Sequence, residues 1–343
     1  MPIEDNKYVG KIHQIISAAT KAAGGRCLHF DKDGRQCKDQ AIQSHSLQRR
    51  GPLEAIASDG HVIKIGPTLK TRPIEKRFLF ERIGIRQAST FVGFCSQHDA
   101  ILFSDIEKKI MPFDERTAIV LAIRSMAIEL RQKHLMTKIY MELIKYFGAD
   151  GDPTDILRCK LIKRGAETAI EQNTTKLKKL FRDHYKRRSE NLKYLLLEFD
   201  GHMPFAATGC FEPAWNLMDE FLFIGEPMKT KWNSLSLFCG NVGDSFYGFI
   251  SGYQKYKSHR IDRFLSSIDT TSADLTSILF TISVANLENC YVSDSWLKTL
   301  NSHDVDNILE MATSGILDGV GSSQPLSIRV DVPQAKLIKC ITN

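Results

Sequence analysis

Two short stretches of the 343-residue chain contain side chains that commonly bind metal ions. The first, RCLHFDKDGRQC, contains Cys27 and Cys37, and the second, FCSQHD, contains Cys95 and His98. Zinc is usually held by four Cys or His side chains that arrive as two pairs, each delivered by a tight turn. The DKDG sequence can fold the first stretch into a hairpin with both cysteines near its open end. The sequence therefore predicts a structural Zn2+ site made of these four residues.

The spacing between the first two cysteines leaves an alternative open, because nine intervening residues are not a standard zinc knuckle. In that alternative, Cys27 and Cys37 are unrelated thiols and His98 caps a helix. His29 and His45 are substitute ligands if one of the four is wrong. The other five of the eight cysteines lie alone in apolar or strand-like surroundings, which favours small buried side chains over a disulfide framework.

The elements that position these residues follow from hydrophobic spacing and turn signals. Apolar residues at helical spacing predict helices over 7–22, 96–110 and 114–148, and a second long helical region over about 154–198. The runs AIQSH and HVIKI, between Gly-containing turns, predict strands near the metal pairs. Farther along, the predicted strands are FAATGCF, SLSLFC, FYGFISGY and SIRVDVP (327–333), and helices are predicted at about 258–268, 272–287 and 303–314.

This order of elements resembles the treble-clef arrangement of HNH-type (ββα-metal) endonucleases over about residues 26–110. A cysteine hairpin precedes a strand that ends in Ser44-His45, and a later helix opens with the second metal pair. The resemblance implies that His45 is the general base, that Asp99 binds a catalytic Mg2+ or Mn2+, and that Cys95 and His98 are structural ligands. A neutral imidazole can take a proton from water near pH 7, and a cation can stabilise charge on a phosphate.

The sequence departs from the HNH pattern in three places. Residues 8–172 contain no asparagine to orient the base, Asp99 stands where the family has a histidine, and the loop between the strands is long. His45 is otherwise a fifth residue close to the metal or a surface histidine near Arg49 and Arg50. Asp99 otherwise stabilises the positive end of its helix. The stretches QSHSLQRRG and FVGFCSQHDAILFSDIE also resemble uncharacterised bacterial proteins from phage-defence loci, which implies a role in antiviral defence.

Positive charge is concentrated in two parts of the chain, whose formal net charge is +6. Residues 1–110 contain 18 Lys/Arg and 12 Asp/Glu, residues 158–193 contain 12 and 4, and the remainder contains 16 and 24. This distribution is typical of a polyanion-binding surface on an otherwise acidic protein. The candidate nucleic-acid-binding residues are Arg49, Arg50, Lys176, Lys178, Lys179, Arg182, Lys186, Arg187 and Arg188. The alternative is a solvated helix face, or one that pairs with the acidic C-terminal region.

The C-terminal region shows no phosphate-binding loop, nucleophile elbow or dinucleotide fingerprint. Asp200, His202, Cys210 and Glu212 could line a site, but their spacing does not require one. A packed domain with incidental polar residues is the simpler interpretation, and such a domain could mediate contact with a protein partner or a second copy of the chain.

The predicted fold class is α+β, with an N-terminal treble-clef zinc module, central long helices and a C-terminal mixed α/β domain. The predicted boundaries are 1–25, 26–111, 112–199 and 200–343. The first functional hypothesis is an HNH-like nuclease acting on DNA or, less favoured, RNA. The alternatives are a non-catalytic zinc-stabilised nucleic-acid-binding module and a regulatory interaction protein. Without a signal-peptide pattern or an apolar run long enough to span a bilayer, a cytoplasmic protein with no membrane partner is expected.

Overall fold

A computed structural model of the chain shows a mixed α+β protein. It describes residues 5–22, 24–66, 80–107, 114–148, 152–222, 234–253, 259–317, 326 and 328–342. The helices are α1 (Asp5–Lys21), α2 (Ser96–Glu107), α3 (Glu115–Phe147), α4 (Pro153–Lys186), α5 (Arg260–Ser266), α6 (Leu275–Asn286), α7 (Asp294–Leu297) and α8 (Ser302–Leu317). The strands are β1 (Gln43–His45), β2 (His61–Ile65), β3 (Phe80–Gly84), β4 (Thr90–Val92), β5 (Leu192–Asp200), β6 (Phe205–Phe211), β7 (Leu235–Val242), β8 (Ser245–Tyr253), β9 (Cys290–Val292) and β10 (Leu337–Thr342).

Eight of these strands form one antiparallel sheet, in the order β10-β5-β8-β7-β6-β9-β2-β3. Strand β2, from the N-terminal part of the chain, pairs with β9 through Ile63 and Val292. Strands β1 and β4 form a separate two-stranded ribbon. The sheet therefore crosses the predicted boundaries at residues 111 and 199, although the division into domains itself stays a prediction.

Helices cover both faces of this sheet. Leu196 and Phe238 pack in one core with residues of α3 and α4, whereas Leu195 and Leu237 pack in another with residues of α5, α6 and α8. Strands that are buried on both faces carry nearly continuous apolar runs, so their sequence does not alternate. Within the described residues, no helix combines the length and the apolar character needed to cross a bilayer.

The burial of both faces explains why the predicted helical region over 154–198 is wrong at its C-terminal end. Helix α4 stops at Lys186, and residues 192–200 form strand β5, which lies between β10 and β8 in the sheet. The run LKYLLLEFD contains apolar residues on both sides of the strand, which a periodicity argument cannot distinguish from a buried helix. By contrast, the predicted strands HVIKI and FAATGCF coincide with β2 and β6, and the predicted helix over 114–148 is confirmed by α3.

The last predicted strand, SIRVDVP, is also wrong. The described residues between 328 and 336 are irregular, although Val330 and Val332 are buried, and the strand forms instead at Leu337–Thr342. Among the described residues, this strand, β10, lies at the edge of the sheet and pairs with β5. Most of its side chains are exposed, as expected for a strand at the edge of a sheet.

A buried polar network fastens the β1–β4 ribbon to the sheet. The Nδ2 atom of Asn289 lies 3.0 Å from Ser46 Oγ, 3.1 Å from Ser89 Oγ and 3.2 Å from the carbonyl oxygen of Thr208. The hydroxyl of Tyr291 donates to Asn289 Oδ1 at 2.9 Å and accepts the backbone N–H of Ser89 at 2.6 Å. Asn289 therefore satisfies polar groups from three separate segments of the chain.

We predict that Asn289→Ala lowers the free energy of unfolding by about 1–3 kcal/mol, because it leaves buried partners without hydrogen bonds. Asn286→Ala is the matched control, since Asn286 Nδ2 donates to Ile282 O of its own helix. The control should cost less than about 1 kcal/mol. Urea denaturation measures the loss of unfolding free energy in both variants, provided that the slope of this free energy against urea concentration is unchanged. Equal losses in the two variants would show that the network contributes no more than a single hydrogen bond within a helix.

Candidate metal centre

The four predicted metal-binding side chains converge in the structure. Cys27 and Cys37 come from the N-terminal hairpin, and Cys95 and His98 come from the start of α2. Their ligand atoms all lie within 4.8 Å of one another. His98 Nδ1 is 3.2 Å from the sulfur of Cys95 and 3.6 Å from that of Cys27. This Cys3His cluster could hold a metal ion such as zinc, which prefers thiolate and imidazole ligands.

The hairpin forms because its turn residues satisfy one another locally. The Asp31 carboxylate accepts the backbone N–H groups of Asp33 and Arg35 at 2.9 and 2.8 Å. Gly34 has a φ of 78°, a conformation that glycine adopts without a steric penalty. Across the hairpin, the Cys27 N–H donates to the carbonyl of Asp39. The two cysteines therefore lie on opposite arms, below the turn.

Two backbone hydrogen bonds attach the hairpin region to the segment that leads into α2. The N–H of Leu28 donates to the carbonyl of Gly93 at 2.9 Å, and the N–H of Ile42 donates to that of Phe94 at 2.8 Å. Cys95 then begins the first helical turn, which brings it and His98 to the same face of the helix. The backbone alone therefore places the two ligand pairs opposite each other.

The environment of the cysteines shows what a metal ion would contribute. Burial raises the pKa of Cys27 to about 12, while the backbone N–H groups of Cys95 and His29 act in the opposite direction. Burial likewise raises the pKa of Cys37, opposed by the N–H of Asp39. Without a cation, the thiols of Cys27 and Cys37 are therefore protonated at neutral pH. A bound metal would supply the charge that stabilises thiolates, with the N–H groups already aligned on the sulfur atoms.

His29 lies beside the cluster but does not belong to it. Its imidazole stacks on that of His98, with ring centroids 3.6 Å apart and an interplanar angle of 7°. Its Nε2 atom is 2.9 Å from the hydroxyl of Tyr185 on α4. Burial lowers the pKa of His29 to about 4, so the ring is neutral. His29 therefore orients the His98 imidazole and links the cluster to α4. The sequence did not reveal this contact, because the spacing of Tyr185 assigns it to the apolar face of the helix.

The two residues assigned catalytic roles lie outside the cluster. His45 ends β1, and its Nε2 is 3.2 Å from the carbonyl of Ile85. Asp99 lies in the first turn of α2. In the described part of the chain, the Cys3His cluster is the one group of three or more Cys, His, Asp or Glu side chains arranged to hold a metal. A general base at His45 and a catalytic ion at Asp99 stay predictions.

Most of the predicted nucleic-acid-binding residues have exposed side chains. These are Arg49, Arg50, Lys178, Arg182, Lys186, Arg187 and Arg188. Lys178 also approaches the hairpin, since its ammonium lies 5.2 Å from the centre of the Phe30 ring. Lys179 is half-buried, with its ammonium 5.8 Å from the ring centre of Tyr253.

Lys176 is half-buried rather than exposed, and its place on a nucleic-acid-binding surface stays a prediction. Its ammonium donates to the hydroxyl of Ser234 at 3.0 Å, and burial lowers its pKa. The apolar residue Leu180, one turn farther along α4, is buried. Residues four apart share a helix face, so Lys176 lies at the edge of the face that packs on the protein.

No family model, curated protein or solved structure matches the chain. The metal centre and the surfaces around it are therefore interpreted from their own geometry. The predicted role in phage defence, the cytoplasmic location and a partner for residues 200–343 stay predictions.

We predict that the purified chain contains about one zinc ion and that Cys27→Ser and Cys95→Ser abolish its retention. Both substitutions remove a buried sulfur ligand, so both should also lower the midpoint of thermal unfolding. Cys340→Ser is the control, because Cys340 is exposed and lies outside the cluster. Elemental analysis by mass spectrometry measures the metal. A metal-free wild type, or equal loss in the control, would contradict the assignment.

Proposed function

We propose that the chain is a nucleic-acid-binding protein whose N-terminal module is stabilised by a structural Zn2+ ion. Four protein ligands complete a tetrahedral zinc shell and leave no position open for water or substrate, as in structural rather than catalytic sites. The observation that carries the proposal is the contact from His98 through His29 to Tyr185. It fixes the C-terminal end of α4, with its exposed cations, against the metal module.

The cations that follow Tyr185 are available to phosphates. Helix α4 ends at Lys186, and Arg187 adopts a left-handed conformation with a φ of 57° that ends the helix. The nearest charged partner of Arg188 is Glu190, at 3.4 Å between two exposed side chains. Exposed ion pairs of this kind contribute little free energy and are screened by salt, so Glu190 would not prevent a phosphate from binding Arg188.

Arg49 and Arg50 supply a second group of exposed cations. They lie in the irregular helical turn Arg49–Leu53, directly after the β1–β4 ribbon. A guanidinium group can pair with two phosphate oxygens at once, which makes arginine suited to backbone contacts. Such contacts position a nucleic acid without reading its sequence, so the proposal predicts binding with weak sequence preference.

We predict that replacing Lys186, Arg187 and Arg188 together with glutamine weakens binding to duplex DNA and reduces its salt dependence. If all three contact phosphates, the slope of log K against log salt should become less steep by about 3, at roughly 0.9 per contact. Fluorescence anisotropy with labelled DNA and RNA at several salt concentrations measures the slope.

The matched control replaces Arg158, Lys160 and Arg164, which are exposed cations on the distant half of α4, with glutamine. It removes the same charge without touching the end of the helix that contacts the metal module. If the control loses as much affinity and slope as the first variant, net charge and not this surface governs binding. If the wild type does not bind either nucleic acid in a salt-dependent way, the proposal fails.

A nuclease of HNH-like type is the second candidate, and the hydrogen bond of His45 favours it. When Nε2–H donates to the Ile85 carbonyl, the lone pair of the neutral ring resides on Nδ1. A backbone carbonyl could thus orient the base in place of the missing asparagine. Mg2+ or Mn2+ would then be required as the catalytic ion, with Asp99 as a ligand.

We predict for this candidate that His45→Ala abolishes cleavage of DNA or RNA in Mg2+ or Mn2+ while the zinc content is unchanged. His61→Ala is the control, because His61 Nδ1 also contacts a backbone carbonyl, that of Asp59, at 2.8 Å. Cleavage lost only in His45→Ala supports the nuclease. No cleavage by any variant, together with salt-dependent binding, supports the binding protein alone.

A further inference from the structure

Strands β6 and β7 carry polar side chains on a face that is otherwise packed against helices. Cys210 lies directly opposite Ser236 in the antiparallel register, and Sγ and Oγ of the two are 3.5 Å apart. The last registered pair is Phe211 and Leu235, so Glu212 and Ser234 are the next residues along the two strands. Positions two residues apart on a strand share a face, which places these four side chains on one side of the sheet.

Helices α3 and α4 add charged groups to the same place. The Lys176 ammonium lies 3.0 Å from the hydroxyl of Ser234, and on α3 Lys133 forms an ion pair with Glu129 at 3.0 Å. The charge of Glu212 interacts with all three of these ionisable groups. Burying charges is costly, and clusters of this kind occur preferentially at functional sites.

The cluster is also in contact with solvent. Glu288, just before β9, interacts electrostatically with Glu129 and Lys133, and burial raises its pKa. Its side chain is nevertheless exposed.

The pKa of Lys176 is lowered and the pKa of Glu212 is raised, so both lie closer to neutral pH than in exposed side chains. Burial lowers the pKa of Lys176, opposed by Glu212, Cys210 and Glu129. Burial raises the pKa of Glu212 to about 7, opposed chiefly by Lys176. At neutral pH, Lys176 therefore has a larger neutral fraction than an exposed lysine, as a general base requires. Burial also raises the pKa of Cys210 to about 12, which excludes its thiolate as a nucleophile.

We propose that Ser234 and Lys176 form a nucleophile–base pair for acyl transfer from an ester or amide, with Glu212 as a positioning residue for the ammonium group. A nucleophile bonded to a base, which is held by a third group, is the arrangement that covalent hydrolases use. The site is separate from the metal centre and from the proposed nucleic-acid surface.

The reaction balances with the groups present. Neutral Lys176 accepts the proton of Ser234 as its oxygen bonds to the acyl carbon, and the bond to the leaving group then breaks. The leaving group departs with the proton from Lys176. A water molecule next attacks the acyl-serine ester and gives a proton to Lys176, which returns it to the Ser234 oxygen as the acid is released.

The test is covalent labelling of the full chain with a fluorophosphonate, which bonds to an activated serine oxygen and releases fluoride. Mass spectrometry should locate the label on Ser234, and Ser234→Ala should remove it. Ser234 is 9% exposed, so labelling tests access as well as reactivity. Ser236→Ala is the matched control, because Ser236 lies on the same strand face and contacts Cys210. It should retain labelling at Ser234.

Lys176→Arg tests whether Lys176 acts as a base or only as a structural cation. Arginine keeps the positive charge and the hydrogen-bond donors but does not lose a proton. We expect a loss of labelling rate of about 100-fold or more, with an unchanged circular dichroism spectrum. Glu212→Gln removes a carboxylate that raises the pKa of Lys176, so the pKa of Lys176 should fall in this variant. The labelling rate should therefore begin to increase at a lower pH than in the wild type. Absence of label at Ser234, or an unchanged rate in Lys176→Arg, would overturn the proposal.

Discussion

The convergence of side chains from the N-terminal hairpin and from the start of α2 is the constraint on which the N-terminal module depends. Residues 26–42 form isolated bridges and turns without a regular strand, and single backbone hydrogen bonds such as those of Cys27, Leu28 and Ile42 connect them to neighbouring segments. Short segments of this kind usually need a metal ion or a disulfide to fix their geometry. Here, three thiols and one imidazole converge from the two segments. A metal ion bound to all four would fix the hairpin against the start of α2.

The module is nevertheless continuous with the main body of the protein. Cys27 and Phe30 are buried in the same core as Phe181 of α4, and the guanidinium group of Arg131 on α3 contacts the carbonyl oxygen of Arg26. On another side, β2 extends the large sheet through its pairing with β9. A change at the Cys3His cluster would therefore also disturb the packing of α3 and α4.

The sequence predicted those features that depend on residue type and local spacing. The convergence of the Cys3His cluster and the elements α3, β2 and β6 are examples, because each is specified by a short pattern of side chains. Strand β5 was missed since both of its faces are buried, and β10 was missed since it is an edge strand with exposed side chains. The pairing of β2 with β9 joins residues more than 200 positions apart. Such a contact depends on the packing of the whole chain, which local patterns do not encode.

Helix α4 shows how one amphipathic segment places its cations in two different environments. Leu177, Leu180 and Phe181 are buried and define the face that packs on the protein. Lys176 precedes Leu180 by one helical turn and is therefore drawn to the edge of that face, where Ser234 accepts its hydrogen bond. Lys186 lies on the exposed side, beyond the contact of Tyr185 with His29. A run of like charges in sequence is thus divided by the helical repeat, and only part of it remains available for a polyanion. The division follows from the spacing of the apolar residues rather than from the charges themselves, so the apolar face must be located before a basic helix is assigned to nucleic-acid binding.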